Sequence, residues 1–196
     1  MISKLAKSIA HFFVVQNITE ESKEVIYAYG MELLISDVLN TIIVLLIALF
    51  SHTLPAVVVF IAVFMGLRQF VGGFHANSHL SCMFTLVMVM MVFSYGICNV
   101  SGHITPIFSI SFIMIALPII LCIAPVPHPN KPMSEEKSVK LRKRSCILAV
   151  TLSVVTIALL VFQYQKLSLY ESSGMLLSAI MALLGHFLNR GDNSKR

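Results

Sequence analysis

Ile104-Thr-Pro-Ile-Phe-Ser-Ile-Ser-Phe-Ile-Met-Ile-Ala-Leu-Pro-Ile-Ile-Leu-Cys-Ile-Ala124 runs for 21 residues without a charged side chain. About 20 apolar residues at helical rise cross the ~30 Å hydrocarbon core of a bilayer, so this stretch predicts a membrane span. Reading outward from it, similar runs give six candidate spans, at 31–50, 54–71, 80–100, 104–124, 145–162 and 172–188. The second is the weakest, since its uninterrupted apolar part, 54–67, reaches across only if Phe70 and Val71 are added and Arg68 snorkels. Composition agrees: 57% of residues are hydrophobic and 12% charged, with mean hydropathy +0.88, against roughly 25% charged in ordinary soluble domains. The expected fold is all-α, a single polytopic integral membrane domain over 1–196 with about six transmembrane helices. The net charge of +5 does not argue for a nucleic-acid partner, because the basic residues cluster between apolar runs and no nucleic-acid-binding motif occurs. The partner surface it implies is the lipid bilayer.

Those basic residues orient the chain. With both termini in the cytoplasm, the inner segments hold 13 of the 14 Lys and Arg residues, among them Lys140-Leu-Arg-Lys-Arg144, leaving only Lys166 outside. The polar segment between the second and third spans then lies at the cytoplasmic face. Residues 1–30 form a cytoplasmic and interfacial segment. In it Ile2, Leu5, Ile9, Phe12 and Phe13 recur at helical spacing opposite Lys4, Lys7, Ser8 and His11, which predicts an N-terminal interfacial amphipathic helix. It lacks the apolar core and cleavage site of a signal peptide. Asn17 to Gly30 reads as a polar helix capped by Asn17 or Thr19. Residues 125–144 form a basic cytoplasmic loop. Four prolines at 125, 127, 129 and 132 forbid continuous helix, and Ser134-Glu135-Glu136 can start a short basic helix before the fifth span.

Chemistry concentrates in residues 68–82, Arg68-Gln-Phe-Val-Gly-Gly-Phe-His75-Ala-Asn-Ser-His79-Leu-Ser-Cys82. Of the four cysteines, Cys98, Cys122 and Cys146 lie in or beside apolar spans and read as small buried hydrophobes. Cys82 instead follows a polar stretch with two histidines within seven residues. A thiol becomes a nucleophile when a base is near, and a helix N-terminus lowers its pKa further. In a continuous helix His75 and Cys82 would share a face but lie about 10 Å apart along the axis, beyond hydrogen-bond reach. The pair therefore needs a bend, for which Gly72-Gly73 supplies permissive backbone and Asn77-Ser78 a helix cap. His79, three residues before Cys82, is within reach without a bend. Spacing leaves the two histidines as equal candidates for the base. No histidine pair shows metal-ligand spacing, so neither a metal nor another cofactor is expected.

At this point the residues resemble a family, the accessory gene regulator protein B (AgrB) family of bacterial membrane cysteine endopeptidases. The resemblance rests on Arg68 with Gly72-Gly73-Phe74-His75 and Cys82 seven residues on, on Ala124-Pro125-Val126 with Asn130-Lys131-Pro132, and on a six-span chain of this length. It implies His75 as base, Cys82 as nucleophile, and Arg68, Gly72 and Gly73 as substrate-binding or site-supporting residues in a catalytic cytoplasmic loop, 68–82. It further implies that the substrate is a small AgrD-like propeptide, cut near its C-terminal part and closed to a thiolactone or lactone precursor of a quorum-sensing signal. A homodimer is compatible with it.

Other features carry smaller expectations. Arg68 could bind acidic groups of a propeptide or snorkel to lipid phosphates. Asp37, in the inner half of the first span, is expected to orient a histidine or pair with Arg68, because a charge there is costly. The basic loop suits an acidic peptide segment or a lipid-facing anchor. Six spans and an intramembrane acid would equally suit a small transporter or channel, although membrane-embedded charge is scarce and no inverted repeat is visible.

Overall fold

The computed structural model describes residues 2–72, 85, 88–89, 92–93, 95–101, 103–126 and 135–193. Six α-helices occur among them: α1 (Ile2–Val15), α2 (Glu24–Phe50), α3 (Leu54–Val71), α4 (Thr105–Ile123), α5 (Glu135–Val161) and α6 (Gln165–Asn193). Five, α2 to α6, contain a stretch long and apolar enough to cross a membrane. The protein is thus an all-helical, polytopic membrane protein. The expected span at 80–100 falls largely outside the described residues.

α3 and α4 match their expected spans almost residue for residue, each opening with proline in its first turn, where a missing N–H costs nothing. Three helix ends share one device. Asn17, His52 and Gln163 take left-handed φ of 54°, 56° and 65° after α1, α2 and α5, and the next amide reaches back to the carbonyls of Phe13, Ala48 and Leu159. Asn17 therefore ends α1 instead of capping a following helix. The stretch expected to be a polar helix from Asn17 instead contains a short 3-10 turn, Glu21–Lys23, before α2 begins at Glu24.

Two other boundaries differ from expectation. The basic segment before the fifth span is no separate helix: Glu135–Val161 is one element of 27 residues, about 40 Å long, so its charged first turns project beyond the hydrocarbon. The Lys140–Glu136 ion pair supports those turns. α6 begins at Gln165, seven residues before the expected start, and draws Glu171 into the span.

Packing explains these shifts. Lipid tails are as apolar as leucine, so membrane helices associate through small residues and interhelical hydrogen bonds. α6 is the central helix, with 56% of its apolar window buried against 22–33% for the other four, and it packs on α3, α4 and α5. Its small residues make this closeness possible: a Cβ on Gly174 would lie 2.7 Å from Phe60 O of α3. Ser178 Oγ lies 3.3 Å from Phe64 O of α3, and Ser168 Oγ lies 3.1 Å from Ser109 Oγ of α4. Ala116, Ala149, Ala179 and Ala182 are fully buried in the same core. A second cluster ties Val44 and Ala48 of α2 to Ala56, Val57 and Phe60 of α3 and to Phe93, whose ring lies 4.4 Å from that of Phe60.

α1 packs on α2 through Ala6 and Ala10, both wholly buried, with Phe13 edge-on to Tyr27 and His11 3.4 Å from Glu24. Leu5, Phe12 and Val15 stay more than half exposed, the surface an interfacial helix offers to lipid.

Candidate functional site

The last turn of α3 is where sequence chemistry and tertiary structure meet. Leu67 and Val71 are fully buried against Ile120, Ala124 and Val126, which anchors the end of α3 to the end of α4. Between them, half-buried Arg68 faces outward from this core, its guanidinium carbon 5.4 Å from the centre of the Phe64 ring, a cation–π distance. A cation in the last turn also complements the negative end of the helix dipole.

Gly72 then turns the chain out of the helix. Its N–H still donates to Arg68 O at 3.0 Å, but its φ of 73° and ψ of −151° belong to a region essentially reserved for glycine. The turn delivers the backbone to a second segment: the Val126 N–H donates to Val71 O at 2.9 Å, and Gly72 and Val126 pair as an isolated parallel bridge. A Cβ at position 72 would lie 2.5 Å from Val126 O. Glycine is required here twice over, by torsion and by contact.

Arg68, Gly72 and the Ala124-Pro125-Val126 segment are thereby brought to one end of the helix bundle. Gly73, His75 and Cys82, together with His79 and Asn130-Lys131-Pro132, lie outside the described residues. Gly72 ends α3 and turns the chain at the first of the two glycines expected to be permissive, while the bend expected between His75 and Cys82 lies outside the described residues. Asp37 does not behave as expected: it is exposed on α2 and makes no ion pair among the described residues, while Ser36 and Asn40 beside it are buried. Of the remaining thiols, Cys98 and Cys146 are half-buried. Cys122 is exposed on α4, contrary to its reading as a buried hydrophobe. None of the three is hydrogen-bonded to a histidine among the described residues.

This geometry joins the two segments that carried the family resemblance. The Accessory gene regulator B family matches residues 3–184. The chain belongs to the AgrB family. An AgrB-like protein of Clostridium beijerinckii is 25% identical over 145 residues, covering 72% of this chain and 71% of its own. No solved structure matches. Membership places the protein in the processing of quorum-sensing peptides by the accessory gene regulator system and makes an AgrD-like propeptide its family partner.

Two features of this AgrB-family chain are not legible in the sequence pattern. The bond between Val126 and Val71 joins positions 55 residues apart, which no local pattern announces. Glu171, 3% exposed in α6, falls just outside the sixth span that hydropathy predicts. The signal that could have found it is the run Ser168-Leu-Tyr-Glu-Ser-Ser-Gly174, whose small and hydroxyl residues mark a helix–helix face.

Proposed function

We propose that this AgrB-family protein is a membrane cysteine endopeptidase that cuts near the C-terminal part of an AgrD-like propeptide and closes the remaining peptide into a thiolactone or lactone. The observation that supports this most is the junction of Gly72 with Val126: a rigid backbone joint, built on a buried core, lies one residue before the segment bearing His75 and Cys82. A catalytic pair works only when held to within about an ångström, and a glycine-specific joint between the ends of two packed helices is a fitting base from which to hold one.

The chemistry then follows from the residue types. His75 takes the proton of the Cys82 thiol, and the thiolate adds to the scissile carbonyl. Collapse of the tetrahedral species breaks the C–N bond, and the departing amine receives the proton from His75. The N-terminal part of the propeptide is left as a thioester on Cys82. His75, neutral again, takes the proton of an internal propeptide thiol or hydroxyl, which adds to that thioester and displaces Cys82 as thiolate, closing the ring. Limited water at a membrane surface protects the acyl-enzyme until this happens. Arg68 suits acidic groups of the propeptide, and Gly72 and Gly73 shape the loop.

The covalent step can be caught. Protein in lipid nanodiscs, mixed with propeptide and acid-quenched, is expected to carry an adduct of the N-terminal propeptide fragment on Cys82 that hydroxylamine removes. Cleavage with no such adduct at any quench time would count against covalent catalysis.

The proposed orientation has its own measurement. A membrane-impermeant maleimide should leave Cys82 unmodified in intact cells and label it in inside-out vesicles and in detergent. Labelling from outside intact cells would reverse the topology and remove the route from a cytoplasmic propeptide.

A further inference from the structure

Glu171 takes no part in the chemistry above, yet it is the most anomalous side chain in the described bundle. It lies less than two turns into α6, 3% exposed, facing Thr156 of α5, which is wholly buried. Thr156 Oγ1 lies 3.1 Å from Leu152 O, within hydrogen-bond distance, and contacts Glu171 Oε2 as well. A hydroxyl has one proton to donate and lone pairs to accept with. The Leu152 carbonyl can only accept, so when the Thr156 proton points there, the contact to Glu171 is a hydrogen bond only if the carboxyl brings its own proton. The other oxygen, Oε1, is buried with no hydrogen-bond partner among the described residues. A neutral acid tolerates this arrangement, with its O–H donated to Thr156 and a carbonyl-type oxygen left over. A carboxylate would have two acceptor oxygens, one without any donor and one competing for a proton already in use, inside hydrocarbon.

Arg68 on α3, Cys122 on α4, and Cys146 with the charged stretch 135–144 on α5 all lie toward the opposite end of their helices, while His52 and His103 precede α3 and α4 at the near end. The short helix Ile97–Asn99 brings Cys98, preceded by Tyr95. On the near end of α6, Lys166 and Tyr170 line a surface pocket with Tyr164, and His186 is four turns away. Glu171 makes no ion pair among the described residues.

We propose that Glu171 is a proton-binding site, a neutral carboxylic acid whose O–H donates to Thr156 Oγ1 and ties α5 to α6 near their connecting turn. Its ligand is H⁺, since one carboxyl and one hydroxyl offer too few oxygens for a metal cation. Loss of that proton to entering water leaves Oε2 competing with Leu152 O for the single Thr156 proton and Oε1 with no donor, which weakens the tie between the two helices.

Infrared spectra of the protein in lipid nanodiscs at neutral pH test this. Wild type should show a protonated-carboxyl carbonyl band that Glu171→Gln lacks, unchanged when sodium or potassium replaces choline. Thr156→Val should move that band to higher frequency by removing the acceptor. Glu171→Gln, shaped like the neutral acid and still a donor, should keep the wild-type thermal midpoint. Carboxylate bands in place of the acid band at neutral pH would overturn the proposal, as would a band that appears only when sodium is withdrawn. A Glu171→Gln protein that cannot fold would overturn it too.

Discussion

Cys82→Ala is expected to abolish propeptide cleavage, lowering the rate by on the order of 10⁴-fold or more, whereas Cys98→Ala, Cys122→Ala and Cys146→Ala should each retain most of it. The contrast comes from surroundings. Cys82 has two histidines within seven residues in a polar segment, while the other three sit in or beside spans with no histidine bonded to them among the described residues. Cleavage of a labelled propeptide in membranes, resolved on a gel, reads the difference. The histidines sharpen it. Residues acting as one unit fail together, so His75→Ala should fall nearly as far as Cys82→Ala, and His79→Ala should keep much of its activity. The reverse ranking would mean that a regular helix carries the site and that no bend brings His75 to Cys82. A fully active Cys82→Ala protein would end the endopeptidase proposal.

Gly72→Ala should be the most damaging change outside the catalytic pair. Alanine at φ 73° and ψ −151° carries about 1–3 kcal/mol of backbone strain. Its Cβ would also stand 2.5 Å from Val126 O, a contact with backbone that no rotamer change relieves. The chain can accept the methyl group only by opening the joint between α3 and Val126. Displacement of the adjoining loop by about 1 Å is enough to cost on the order of 10²-fold in rate. Gly66→Ala is the matched control, since a Cβ there meets nothing within 4 Å on the same helix, and its cleavage rate should equal that of wild type. Both rates are to be normalised to protein recovered from the membrane. Equal activity of the two variants would show that the joint does not support the site.

How much of this is legible in the sequence depends on the kind of question. Hydropathy alone predicts spans at 54–71 and 104–124, and the helices are found at Leu54–Val71 and Thr105–Ile123. Bilayer thickness is a one-dimensional constraint, and a segment in hydrocarbon has to satisfy its own backbone, so a count of apolar residues suffices to place a helix. Helix ends are less legible where left-handed residues other than glycine close them. Asn17 reads as a cap for the next helix and instead terminates α1, because a single asparagine serves either role and only the path of the chain selects one.

Legible from residue order alone are an all-helical membrane protein, the helices Leu54–Val71 and Thr105–Ile123 almost residue for residue, and a polar segment holding His75 and Cys82. Packing in three dimensions makes α6 the central helix, buries Glu171 against Thr156, leaves Asp37 exposed, and joins Gly72 to Val126. The physical reason is the solvent. In water a hydrophobic stripe tells which face of a helix turns inward, but lipid is as apolar as a protein core, so hydropathy is silent on which helices touch. That choice rests on small residues and hydroxyls meeting across helices far apart in the chain, and those meetings exist only once the bundle has formed.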